Sequence, residues 1–270
     1  MTSCPSDVRV ARLLAVLFSK PPVVEVVLGV QFDRASASVA DLGGFAALVR
    51  DEYPDAIDAP SIPRTLEPPE GGAFASGVRI ELRGAERVQM YAPARQHFLQ
   101  LQTDRFHANW QRLNEGDKYP HFDGVWQKFR EGWTKWKGFC GDARPAPVQY
   151  EITYINHVYA GDLWNVEKSV SAVCPWLVPP KVQTAPEVEA ALHYWVPECR
   201  GRLHIVARTA RKLPDMRPVF VLELTLRGAN TKPGTDDDLK AWMDAAHDRI
   251  GKSFLELTSV EAHRTWGGAS

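Results

Sequence analysis

The alternation of hydrophobic and polar positions predicts long strands in the first half of the chain. In the strongest strand signal, residues 23–32, every second residue from Val24 to Phe32 is hydrophobic, while Glu25 and Gln31 lie on the other face. Such alternation is typical of a strand with one buried face. A helix is predicted near residues 39–53. The Pro- and Gly-rich residues 54–72 are expected to form a loop.

Further strands and a long helix complete the first half. The predicted strands cover residues 78–83, 87–91 and 97–105. Residues 122–139 then carry Trp126, Phe129, Trp133 and Trp136 at steps of three and four, which predicts a helix with one core-facing stripe.

The second half of the chain is predicted to repeat the order of elements found in the first half. It has a predicted strand (148–159), a helix (near 163–173), a loop (175–186), three strands (188–196, 202–209 and 219–227) and a final helix (236–258). Two β-α-β-β-β-α units predict an α+β fold, in which an antiparallel sheet grips two long helices in a TATA-binding-protein-like or helix-grip-like arrangement. The predicted organisation is an N-terminal extension or short helix (1–20), a first half (21–145) and a second half (146–267), packed as one globular unit.

Composition and charge exclude several classes of protein. The 270 residues are 44% hydrophobic and 24% charged, which is ordinary for a folded domain, and the net charge of -1 gives no global attraction to nucleic acid. The apolar run from Leu13 to Phe18 is too short for an export signal, so no membrane association is predicted. The four cysteines lie far apart, which predicts reduced thiols in the cytoplasm and no zinc site.

No sequence signature of a cofactor is present. No Gly-rich nucleotide-binding motif follows a strand, and the eight histidines form no metal-binding motif. Neither a cofactor nor a metal ion is therefore predicted, and whether the protein is an enzyme stays open, with the balance against catalysis.

A polar sheet face is the strongest candidate for a binding site. Strand alternation places Gln100, Gln102 and Asp104 on the face opposite Leu99 and Leu101. In the second half, the same alternation predicts a matching polar strip that includes Glu223 and Arg227. An open sheet would offer this face to a protein partner, whereas a closed sheet would form a polar cavity for a small ligand. The candidate binding residues are Gln100, Gln102, Asp104, Arg105, Asn109, Trp110, Glu151, Glu223 and Arg227.

Two alternative functions would depend on other residues. Lys128, Arg130, Lys135 and Lys137 are interleaved with aromatic residues, a combination that suits single-stranded nucleic acid. The second alternative is a hydrolase in which folding brings Asp104, Glu151 and a histidine together.

Several short phrases of the sequence resemble a sporadically distributed family of bacterial proteins that carries no assigned activity. The resemblance spans about residues 21–267 and rests on Pro22-Val-Val-Glu-Val-Val, Gln100-Leu-Gln-Thr-Asp-Arg-Phe, Asn109-Trp110, Tyr119-Pro120, Glu151-Ile-Thr-Tyr-Ile-Asn, His247-Asp-Arg-Ile, Phe254 and Trp266-Gly267. It implies a mobile-element or defence-linked gene and no catalytic residues. The function predicted is a non-catalytic interaction protein that binds a protein partner or a small ligand through the polar sheet face.

Overall fold

One large antiparallel sheet organises the structure. The computed structural model describes residues 18–32, 37–68, 70, 87–141, 146–161, 163–165, 169–178, 187–229 and 235–268. The strands are β1 (Val23–Phe32), β2 (Asp55–Ala59), β3 (Arg87–Tyr91), β4 (His97–Gln102), β5 (Arg105–Gln111), β6 (Pro147–Tyr159), β7 (Glu189–Val196), β8 (Gly201–Lys212) and β9 (Arg217–Ala229). Their spatial order is β2-β3-β4-β5-β1-β6-β9-β8-β7. The central pair β1 and β6 joins the two halves of the chain.

The described residues contain the α-helices α1 (Val39–Leu48), α2 (His121–Cys140), α3 (Asp236–Leu257) and α4 (Val260–Thr265). α1 and α3 begin with capping boxes, in which Ser38 pairs with Asp41 and Thr235 pairs with Asp238. None of the described helices is both long and apolar enough to span a membrane.

The hydrophobic core lies between the helices and one face of the sheet. Val26, Leu28 and Val30 of β1 project to this face and are fully buried. Trp136 of α2 packs against Phe32, with ring centroids 6.3 Å apart, and against Phe45 at 5.2 Å. The aromatic stripe of α2 therefore has the core-facing role that its spacing predicts. The α+β class and the antiparallel sheet are confirmed.

The structure corrects three element predictions. The strand predicted at 97–105 ends at Gln102, and a further strand, β5, follows a turn at Thr103 and Asp104, where an aspartate suits a turn better than a strand. Within the loop predicted at 54–72, Asp55–Ala59 forms the exposed edge strand β2, whose Asp and Ala residues have low strand propensity.

The third correction concerns the helix predicted near residues 163–173. Its described residues contain only a 3₁₀ turn, Val170–Ala172. The strand predicted at 78–83 and the helix predicted near Leu13 lie outside the described residues. The three described cysteines, Cys140, Cys174 and Cys199, are free thiols.

Replacing Trp136 by alanine tests the core. The side chain is fully buried, so the Trp136→Ala variant should lose about 3–5 kcal/mol of unfolding free energy. Trp176, which is 36% exposed, supplies the matched control Trp176→Ala, with a much smaller expected loss. Urea unfolding followed by circular dichroism measures both. Equal losses in the two variants would contradict this assignment of the core.

Candidate functional site

The sheet face opposite the helices carries polar side chains in rows that run across the strands. Residues directly opposite each other on neighbouring antiparallel strands have side chains about 5 Å apart. One row contains Gln102, Arg105, Gln31 and Gln149, and the next contains Gln100, His107, Gly29, Glu151, Arg227 and Arg202. The polar strips that alternation predicted thus form one continuous surface of side chains.

Residues 60–68, called the crossing segment here, run over this polar face from β4 to β8. Gln102 of β4 holds its start, because the side-chain amide accepts the Ile62 N–H at 2.8 Å and donates to the Ile62 carbonyl at 3.0 Å. Gln149 of β6 holds its far end in the same way, accepting the Glu67 N–H at 2.8 Å and donating to the Thr65 carbonyl at 2.9 Å. Two buried glutamines therefore satisfy the backbone groups that a neighbouring strand would otherwise pair.

Glu67 anchors the crossing segment to the second half of the sheet. Its buried carboxylate lies 2.6 Å from His204 Nε2, 3.4 Å from Arg202 Nε and 3.8 Å from Arg227 Nη1. His204 in turn contacts His193, with their Nδ1 atoms 2.8 Å apart. A buried carboxylate is stable only among such partners, so these contacts fix the position of the segment.

A cavity of about 370 Å³ lies between the polar face and the crossing segment. This volume is within the usual range for a small-molecule site. The cavity is lined by Glu25, Val27, Gln31, Ile62, Pro63, Thr65, Arg87, Gln100, Arg105, His107, Asn109, Glu151 and Arg227.

Gly29 makes the geometry at the cavity floor possible. A Cβ atom at this position would lie 2.4 Å from His107 Cδ2, so only glycine leaves room for the imidazole ring. The ring therefore lies over β1, and His107 Nε2 comes within 3.9 Å of Glu151 Oε1 on β6. Glu151 also accepts a hydrogen bond from Arg227 Nε.

Burial and charge set the protonation of these two groups. Burial alone would raise the pKa of Glu151, but the positive charge of Arg227 holds it down at about 2. Burial lowers the pKa of His107 to about 4, although the negative charge of Glu151 opposes the shift. At neutral pH the floor of the cavity therefore contains an ionised carboxylate and a neutral imidazole.

Four side chains of the cavity wall form a chain of hydrogen bonds in which each residue donates to the next. Arg87 Nη1 donates to Gln100 Oε1 at 2.5 Å, Gln100 Nε2 donates to Asn109 Oδ1 at 2.8 Å, and Asn109 Nδ2 donates to Glu25 Oε1 at 2.7 Å. The chain begins at a cation and ends at a carboxylate, so each side-chain amide has a fixed orientation.

Three buried polar atoms of the cavity wall have no hydrogen-bond partner among the described residues. They are Gln31 Nε2, Arg87 Nε and His107 Nε2. Gln149 Nε2 donates to Gln31 Oε1 at 2.9 Å, which leaves the Nε2 donor of Gln31 unused. Buried polar atoms without a partner are costly and uncommon, so three of them at one cavity require an explanation.

Most of the candidate residues predicted from the sequence lie at or near this cavity. Gln100, Arg105, Asn109, Glu151 and Arg227 line it. Gln102 and Asp104 lie just outside. Asp104 accepts hydrogen bonds from Gln102 at 2.9 Å and from Arg105 at 3.0 Å. Glu223 lies on the same polar face, where Thr225 donates to it at 3.4 Å.

Trp110 is the exception, because it lies on the opposite face of the sheet. It is 1% exposed and packs against Tyr119, with ring centroids 5.2 Å apart. β5 continues to Gln111, so consecutive residues Asn109 and Trp110 must point to opposite faces. The prediction that groups Trp110 with the polar residues is therefore corrected.

Three residues of the site, Arg87, His107 and Glu67, are not predicted by the sequence pattern. One signal was available for Glu67: an irregular segment longer than about 12–15 residues often has a functional role. Nothing local marked Arg87 or His107, since each reaches the cavity only through the pairing of its strand.

The basic residues of α2 lie on the helical side of the sheet, away from the cavity. Lys128 pairs with Glu131 at 2.8 Å, Lys135 pairs with Glu52, and Lys137 pairs with Asp236. Arg130 is exposed. Acidic partners thus offset much of the positive charge that the nucleic-acid alternative requires.

Neither comparisons with known proteins nor a group of metal ligands among the described residues indicates a function. No protein-family model matches the chain, and no curated protein matches it. In the part of the chain that the structure describes, no three His, Cys, Asp or Glu side chains are grouped to hold a metal ion.

Replacing Gly29 by alanine tests the cavity floor. The new methyl group must displace the His107 ring, and overpacking of this kind costs about 1–3 kcal/mol. The control is Gly43→Ala in α1, where a Cβ meets no atom within 4 Å; it should be stabilising by about 0.5–1 kcal/mol. Chemical denaturation measures both stabilities, and NMR follows the His107 ring. Unchanged His107 signals in Gly29→Ala would contradict the geometry.

His107 should also contribute to the pH dependence of stability. Its pKa is about 4 in the folded chain against 6.5 ordinarily, so between these values the unfolded chain binds a proton that the folded chain does not. Unfolding free energy should therefore fall as the pH drops from 6.5 to 4. The His107→Gln variant should reduce this slope by up to about one proton. An unaltered slope in His107→Gln would rule out this contribution.

Proposed function

We propose that this protein binds a small polar ligand in the cavity between the polar sheet face and the crossing segment. The observation that carries this proposal is the set of three unpartnered atoms, Gln31 Nε2, Arg87 Nε and His107 Nε2, on residues that line one cavity of about 370 Å³. A bound ligand with acceptor groups for Gln31 and Arg87, and a donor or acceptor for His107 according to its tautomer, would satisfy them.

The crossing segment favours a small ligand over a protein partner at the central sheet face. Gln31 is 1% exposed and Gln100 is 6% exposed, so a folded protein resting on the surface would not reach them. A protein partner would have to contact other polar residues of the face, or displace the segment and its buried Glu67 contacts.

The electrostatics favour binding over hydrolysis. His107 and Glu151 do approach each other, which is part of what the hydrolase alternative requires. However, a histidine with a pKa of about 4 is a weak base at neutral pH. Glu151 already accepts a hydrogen bond from Arg227. Asp104 is likewise committed to Arg105 and Gln102.

The nucleic-acid alternative has less support. It requires cations that are available to phosphate groups, and Lys128, Lys135 and Lys137 each have an acidic partner. This alternative is tested by neutralising Lys128, Arg130, Lys135 and Lys137 together. If the alternative holds, the change abolishes salt-sensitive binding of single-stranded nucleic acid.

We also propose that the two halves are copies of one unit with a TATA-binding-protein-like arrangement. The support is the strand order, because β5 lies beside β1 in one half and β9 lies beside β6 in the other, with a long helix following each of β5 and β9. Membership of the bacterial family, a defence or mobile-element role and a cytoplasmic location stay predictions.

A variant that fills the cavity tests the proposed function. Val27 lines the cavity, and Val27→Phe should occupy the space where the ligand binds. The control, Val39→Phe, makes the same change at a residue of α1 that is 53% exposed. Wild type and both variants would be screened by thermal shift and isothermal calorimetry against a library of small polar metabolites, with circular dichroism as a check on folding.

We expect compounds that raise the melting temperature of wild type and Val39→Phe but not of folded Val27→Phe. Compounds that stabilise all three proteins equally bind elsewhere. If every binder in the library behaves in that way, or if none binds, the cavity is not the binding site.

A further inference from the structure

Two charged side chains of the cavity wall have no ion-pair partner among the described residues. Arg87 donates to the neutral Gln100, and Glu25 accepts from the neutral Asn109. The other charged groups of the wall are paired: Arg105 with Asp104, and Arg227 with Glu151. The wall thus presents one cation and one carboxylate that influence each other electrostatically but make no direct ion-pair contact among the described residues.

These two groups stand at opposite ends of the directional hydrogen-bond chain. Arg87 belongs to β3, whereas Glu25 belongs to β1, and the chain between them passes through Gln100 of β4 and Asn109 of β5. Because both side-chain amides have fixed orientations, Arg87 and Glu25 are held apart rather than free to pair with each other.

We infer that the ligand is zwitterionic, with an anionic group that pairs with Arg87 and an ammonium or similar donor that pairs with Glu25. This inference rests on the proposed function and specifies the chemical class of its ligand. Gln31 and His107 supply further hydrogen-bonding groups for the body of such a molecule.

The electrostatic state of each group agrees with this assignment. Burial, together with the negative charge of Glu223, raises the pKa of Glu25, although the hydrogen bond from Asn109 and the charge of Arg87 oppose the shift. A ligand ammonium group in direct contact would stabilise the ionised carboxylate further. Burial likewise lowers the pKa of Arg87, and a ligand carboxylate or phosphate would compensate that cation.

A series of ω-amino carboxylic acids, from three to eight carbons, serves as the probe set. Each is compared with the carboxylic acid and the amine of the same chain length by isothermal calorimetry. Glu25→Gln and Arg87→Gln are the test variants, and Glu261→Gln and Arg264→Gln, at exposed residues of α4, are the matched controls. The folded state of each variant is checked by circular dichroism.

We expect at least one ω-amino acid to bind wild type about tenfold or more tightly than either single-charge analogue, because each charged contact adds to affinity. Glu25→Gln should reduce its affinity to that of the carboxylic acid, and Arg87→Gln should reduce it to that of the amine. Both controls should bind like wild type.

The inference fails if the single-charge analogues bind as well as the amino acids, or if both test variants lose the same preference. It also fails if no ω-amino acid binds while other polar compounds bind in a manner blocked by Val27→Phe, and then the proposed function stands. If no compound of any class shows binding blocked by Val27→Phe, the proposed function fails as well.

Discussion

The need to hydrogen-bond buried polar groups is the constraint on which the candidate site depends. An antiparallel sheet can leave one face in water, but here the crossing segment covers that face, so its side chains lose solvent and must find partners in the protein. Gln102 and Gln149 meet this need by pairing with the backbone of the segment, and Glu67 meets it through His204 and arginines. The cover and the polar network therefore stabilise each other.

The same constraint gives meaning to the few groups that remain unsatisfied. Other described residues, such as His97 and Trp136, also keep an unpartnered buried atom, but Gln31, His107 and Arg87 each keep one and all three line the same cavity. Their common location is the strongest structural reason to regard the cavity as a ligand site.

The two faces of the sheet differ in what they contribute: one forms the hydrophobic core with the helices, and the other carries the proposed binding site. The helical face holds large apolar contacts, such as Phe32 with Trp136, and contributes most of the buried hydrophobic surface. The polar face holds charges whose positions are fixed by strand pairing. Because β1 and β6 are central and adjacent, residues from both halves of the chain, such as His107 and Glu151, meet over Gly29.

The sequence by itself determined the local elements and the sorting of side chains between faces. Period-two alternation identified β1, β3, β6 and the last three strands, and the spacing of Trp126 to Trp136 identified α2, because burial of one face imposes these periods directly. It also separated Gln100 and Glu151 from the core. It failed at β2 and β5, where an exposed edge strand and a tight turn leave weak local signals.

Only the tertiary structure decided what the polar face became. Whether that face stays open depends on the path of residues 60–68, which is set by contacts with residues up to 137 positions away, such as His204. The roles of Arg87, His107 and Glu67, the place of Trp110 in the core and the ion pairs of the α2 lysines also follow from strand register and helix packing. These contacts are long-range, so no local period in the chain records them.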